Sequence, residues 1–221
     1  MSGKVMLAVV AVLGAVAIAG AAGAKGDPAK AGAKGSPAKA GGVNRKAIER
    51  GEYLVRVAGC DDCHTPMGFD EKAGMPVRVM ERRLSGHPVG APVPASTLGG
   101  NDLAVIGPTF TSFRMPFGVV YATNLTPDVE TGIGGWTEAN FVQAMRTGRH
   151  LGQGRAILPP MPWFNVAAAT DEDLKAMFAY LKSLPPVKNR VPDNQVAPAV
   201  YQQQEKANGA IVQTIGRKPK H

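Results

Sequence analysis

Cys60-Asp61-Asp62-Cys63-His64 decides how the rest of this 221-residue chain is read. The chain has two cysteines, and both stand in this string, with a histidine directly after the second. Random placement of two cysteines and four histidines would give the pattern about twice in ten thousand arrangements, so composition does not account for it. The spacing has a chemical reason. Each thiol can add to one vinyl group of a porphyrin, and the next residue can then offer an imidazole to one face of the iron. A thioredoxin-like redox pair would need a preceding strand in a βαβ setting, and a tetrahedral zinc site would need further soft ligands that no third cysteine can supply. The string therefore implies one covalent haem c per chain, attached at Cys60 and Cys63, with His64 as an axial ligand of the iron.

Outward from the motif, the chain divides by composition. Residues 1–24 hold an apolar run from Val5 to about Ala22 and end in Ala22-Gly23-Ala24. The small residues at its end favour a cleaved signal peptide, and the run is also just long enough for a retained N-terminal anchor. Either implies export to the periplasm or the outer face of the cytoplasmic membrane, which suits thioether formation outside the cytoplasm. Residues 25–42 read KGDPAKAGAKGSPAKAGG, a linker of Ala, Gly, Lys and Pro with nothing to bury.

The net charge of +8 invites a nucleic-acid role. Yet residues 43–195 carry sixteen basic and fifteen acidic groups, so the excess lies in the termini, including a basic tail over residues 196–221. No basic stripe with interleaved aromatics marks a nucleic-acid surface. Residues 43–195 are one domain's worth of chain.

Within that domain the periodicity predicts three helices. The first runs from Asn44 as cap to Ala58 and stops at Gly59. The second starts at Thr137 and ends at Gly148. The third is capped by Thr170, places Leu174, Met177, Phe178 and Leu181 on one face, and stops at Pro185-Pro186. Residues 64–117 are rich in Pro and Gly without a sustained period, so a long irregular loop wrapped around a cofactor is expected there. Only a short extended piece near Val119–Ala122 suggests strand. The expected fold class is all-α, with about three to five helices around one haem.

A six-coordinate haem needs a second ligand opposite His64, usually Met or His. Met161 stands in Leu158-Pro159-Pro160-Met161-Pro162-Trp163, where three prolines stiffen the backbone that aims it. Met115, beside Pro116, and His87 and His150 are rivals for the position. Asn124, Trp136, Arg149 and Trp163 are candidates for the haem pocket, since amide, indole and guanidinium groups can donate to propionates.

These residues resemble the class I c-type cytochromes over about residues 44–192. Gly51 and Tyr53 look like the glycine and aromatic through which the first and last helices of that family cross. The strings Tyr121-Ala122-Thr123-Asn124-Leu125-Thr126-Pro127-Asp128, Thr131-Gly132-Ile133-Gly134-Gly135-Trp136 and Met161-Pro162-Trp163 are similar to those of cytochrome subunits of periplasmic alcohol and sugar-acid dehydrogenases. Those subunits have three CxxCH motifs; this chain has one. The resemblance implies an all-α domain, haem c, and single-electron transfer with a dehydrogenase as donor and an oxidase or another cytochrome as acceptor. The chain would be an electron carrier rather than an enzyme, with a membrane tether open through residues 5–22. The alternatives are a haem-containing subunit of a periplasmic dehydrogenase complex and a small-substrate haem enzyme with a displaceable distal Met.

Overall fold

The computed structural model describes residues 44–94 and 97–215. The apolar run, the linker and the last six residues lie outside them.

Helix α1 (Arg45–Val57) starts where the Asn44 side chain accepts from the Ala47 N–H, 3.2 Å away. Gly59, at φ 68°, reverses the chain into a short helix α2 (Cys60–His64). A residue with a Cβ is sterically strained in that left-handed conformation, and glycine is not. Helix α3 (Glu138–Thr147) has a reciprocal capping box between Thr137 and Asn140 and ends at Gly148, φ 64°. Helix α4 (Trp163–Val166) is a single turn, and α5 (Asp171–Ser183) is capped by Thr170 with three acidic residues in its first turn. A further helix, α6 (Pro198–Ile215), occupies most of the segment set apart in the sequence as a basic tail.

Helices α1 and α5 cross at Gly51. A Cβ there would collide with the Ala176 carbonyl oxygen and lie 2.8 Å from the Tyr180 Cβ, so only a bare backbone allows this approach. The aromatic at the crossing is Tyr180, whereas Tyr53 is exposed with Arg50 stacked over its ring. Below the crossing, Val55, Leu84, Phe141, Ala144, Leu174, Met177 and Leu181 form the core, with the Phe141 and Phe178 rings 5.5 Å apart.

The fold is not all-α. The 64–117 stretch and its continuation build two antiparallel sheets. Strands β1 (Met67–Asp70) and β2 (Met75–Arg78) pair as a hairpin. Strands β3 (Val105–Ile106), β4 (Ser112–Met115), β5 (Gly118–Tyr121) and β6 (Gln195–Val196) form a second sheet in that order. None exceeds four residues, too short for a two-residue period to stand out among the prolines and glycines. β6 also reaches its neighbour from a distant part of the chain, which no local pattern reports. The extended piece expected near Val119 is β5.

Candidate haem site

The site begins with the geometry of α2. Cys60 and Cys63 are three residues apart on one helical turn, so their thiols share a face. His64 closes the helix and is 7 % exposed. Its Nδ1 lies 2.7 Å from the backbone carbonyl oxygen of Thr123. A carbonyl can only accept, so Nδ1 carries the proton and donates, and Nε2 keeps its lone pair. Burial pushes the imidazole's pKa down against the opposing pull of that hydrogen bond and of Asp61. The ring is therefore neutral at physiological pH, the form in which histidine ligates a metal.

The thiols fit the same chemistry. Burial, reinforced by the charge of Asp61, pushes Cys60 up to about 12, and burial also raises Cys63. A redox-active Cys-x-x-Cys pair requires the opposite shift, toward a thiolate. Nor do three or more His, Cys, Asp or Glu side chains gather into a metal cage among the described residues. Two neutral thiols on one face, followed by a neutral, aimed imidazole, match a haem held covalently and ligated from one side.

Several bonds hold α2 in place. Asp61 accepts from Arg83 through both carboxylate oxygens, at 2.9 and 2.7 Å, and from Thr65 Oγ1 at 2.8 Å. Burial alone would raise the Asp61 pKa, but these hydrogen bonds outweigh it and hold the carboxyl below its ordinary value. Arg83 also donates to the Tyr180 hydroxyl, which ties α2 to α5. The His64 carbonyl accepts from Gly86 N–H at 2.8 Å.

No family model matches the chain. Over 149 residues, 67 % of the chain, it is 33 % identical to a nicotinate dehydrogenase subunit of Pseudomonas putida, covering 10 % of that protein. It is 32 % identical over 149 residues to the cytochrome c subunit of the quinone alcohol dehydrogenase of Gluconobacter oxydans, matching 66 % of this chain and 24 % of that one. With the gluconate 2-dehydrogenase cytochrome c subunit of Pantoea cypripedii it shares 30 % identity over 154 residues, 69 % of this chain and 27 % of the relative. Over about two thirds of its length the chain is thus similar to cytochrome c subunits of dehydrogenases. It spans between a tenth and about a quarter of the length of these relatives. Haem c is accordingly its cofactor.

The remaining candidate residues fall into two groups. Asn124 is buried and commits its side chain to protein: its Nδ2 donates to the Val187 carbonyl at 2.8 Å, and its Oδ1 accepts from Thr126 N–H and Oγ1 at 2.9 and 2.8 Å. Its contribution is to fix the loop whose preceding carbonyl, Thr123, orients His64. Arg149 is likewise engaged, donating to the Gly154 and Gln153 carbonyls at 3.0 Å each and pairing with Glu205. Trp136 is half-buried, with the His150 ring edge-on to it at 4.9 Å. Trp163 is 2 % exposed and packs against Gly148.

Met161 is half-buried in the turn before α4. Of its rivals, His87 is a core histidine of the larger sheet: its Nδ1 is 2.8 Å from Thr111 Oγ1 and its ring 4.8 Å from that of Tyr121. Met115 ends β4 at the hairpin turn. Thr123, Arg83 and Tyr180 have no signal in the sequence. Thr123 acts through a carbonyl that any residue would supply, and the other two act only through contacts across the fold.

Proposed function

We propose that this cytochrome passes single electrons through one covalent haem, attached at Cys60 and Cys63 and ligated by His64 and Met161. The observation that carries the reading is the His64–Thr123 hydrogen bond, which fixes the imidazole tautomer and leaves Nε2 free for the iron. When bound, the haem supplies the one-electron couple. The chain's own residues hold the imidazole neutral and oriented, exclude water from it, and keep the thiol-bearing turn rigid through Asp61 and Arg83. With the haem bound, Met161 would supply a thioether ligand, which would favour reduced iron and raise the potential relative to two histidines.

The stiff sequence around Met161 supports electron transfer over a small-substrate enzyme, because a ligand held on a stiff backbone would leave no open position for substrate on a bound haem. The relatives are dehydrogenase subunits, which supports a dehydrogenase as redox partner; an oxidase or another cytochrome would be the acceptor. Export to the periplasm, with residues 5–22 as cleaved signal or membrane tether, follows from the apolar run; no helix among the described residues is long and apolar enough to cross a membrane.

The test is spectroscopic. Ferric protein should show the weak sulfur-to-iron absorption band, and the intact mass should exceed that of the polypeptide by one haem. Absence of the band together with rapid cyanide binding at neutral pH would instead support the enzyme reading. The same mass measurement reports whether the N-terminal segment is cleaved.

A further inference from the structure

Helix α6 has one fully buried residue, and it is an amide. Asn208 is 1 % exposed in a helix of 18 residues whose other positions are exposed or half-exposed. An aliphatic side chain would fill that position without the cost of desolvating a polar group. The amide, in return, makes three hydrogen bonds. Its Nδ2 donates to the Gly148 carbonyl at 2.7 Å and to the Ile157 carbonyl at 3.3 Å, and its Oδ1 accepts from Gln204 Nε2 at 2.8 Å. Two carbonyls can only accept, so the orientation of the amide is dictated by its partners.

Those two carbonyls mark the base of a loop. Ile157 N–H also donates to the Gly148 carbonyl at 2.7 Å, and Arg149 bridges Ala156. Beyond the loop the chain runs through buried Leu158 and the two prolines to Met161. Trp163, just past Met161, returns to the same point: a Cβ on Gly148 would lie 2.6 Å from Trp163 Cζ2 and 2.8 Å from Asn208 Nδ2. Both ends of the segment that carries Met161 thus meet at Gly148, under Asn208. Tyr201 and Glu205, on the same face of α6, grip the loop as well, through the Arg155 guanidinium over the Tyr201 ring and the Arg149–Glu205 ion pair.

We propose that α6 is a strap for the distal side of the haem and that Asn208 is its positioning residue, holding the Met161 loop through the Gly148 and Ile157 carbonyls. The strap rests on the reading of Met161 as axial ligand. It gives the helix beyond the third predicted one a role in redox tuning: without it the thioether can leave the iron more often, and the sixth position opens to other ligands.

The test uses the full-length holoprotein. Asn208→Ala removes both donors, and Asn208→Asp keeps the shape while setting an acceptor against two acceptors. Both should retain covalent haem and helical circular dichroism, weaken the ferric sulfur-to-iron band, and bind cyanide about tenfold faster, the scale seen when a residue supporting a metal ligand is lost. If Asn208→Ala does not accumulate, Asn208→Asp and Gln204→Ala carry the readout. Gly209→Ala, whose Cβ would meet nothing within 4 Å, should leave band and cyanide rate unchanged. Met161→Ala separates the two ideas. A sulfur-to-iron band that survives in Met161→Ala overturns the ligand assignment and the strap with it. Loss of the band in Met161→Ala, with wild-type band and cyanide rate in the Asn208 variants, overturns the strap alone.

Discussion

The two sides of the haem site are built in opposite ways. On the His64 side, the candidate ligand and the candidate attachment cysteines share one turn of helix, and the supporting bonds from Asp61, Arg83 and Thr123 converge on that turn. On the Met161 side, the candidate ligand stands in an irregular segment whose ends are gathered at Gly148 by a helix from much later in the chain. A short local motif thus needs only a few clamps. A ligand on a loop needs a separate element to restrict it, because loop backbone has few bonds of its own.

This comparison can be broken or sharpened by mutation. The largest effect is expected from His64→Ala, which should abolish the normal low-spin haem spectrum; an unchanged spectrum would remove the His64 side from the account. Met161→Ala should keep the covalent haem, lose the sulfur-to-iron band entirely and lower the reduction potential, measured by spectroelectrochemical titration. An equal loss in Met115→Ala, with Met161→Ala silent, would move the distal ligand to β4.

Next in size is Gly51→Ala. With the Ala176 carbonyl oxygen in the space of the added Cβ, α1 and α5 must separate, at a cost of about 1–3 kcal/mol in denaturant unfolding. The distal band should survive, since the crossing does not touch the Met161 loop.

Arg83→Ala should cost about 1–3 kcal/mol by leaving the Asp61 carboxylate without its main partner. The pH dependence sharpens this. Asp61 has its folded pKa held below the unfolded value, so its contribution is complete above the ordinary aspartate range and drains away as pH falls through the folded value. Acid unfolding of Arg83→Ala should lose that part of its pH dependence, and an unaltered acid profile would show that the pair does not stabilise α2. The smallest effect is expected at the exposed Arg50–Asp173 pair: Asp173→Asn should produce only a slight, salt-screened loss of stability.

Legibility in the sequence followed the range of the interactions. The three predicted helices correspond to α1, α3 and α5, because caps at Asn44, Thr137 and Thr170 and stops at Gly59, Gly148 and Pro185 act within a turn or two of the helix they bound. The sheets are illegible because β3 and β6 are two residues each and owe their conformation to neighbours elsewhere in the chain. Asn124 stands out in the sequence for its polarity, yet its partners are Val187 and Thr126. An amide has the same hydrogen-bonding capacity whether it faces a cofactor or a backbone, so residue type could not separate the two. Asn208 gives no signal at all, since it follows a glutamine-rich stretch that reads as solvated.

By itself, the sequence determined the cofactor chemistry. Two thiols and an imidazole on adjacent positions need only one turn of helix to act together, and that turn is written in five residues. Tertiary structure decided what holds that chemistry in place. The carbonyl that fixes the His64 tautomer comes from 59 residues away, and the amide that pins the Met161 loop from 60 residues beyond Gly148. Backbone carbonyls have no residue signature, so which one meets a given side chain is settled only when the core packs.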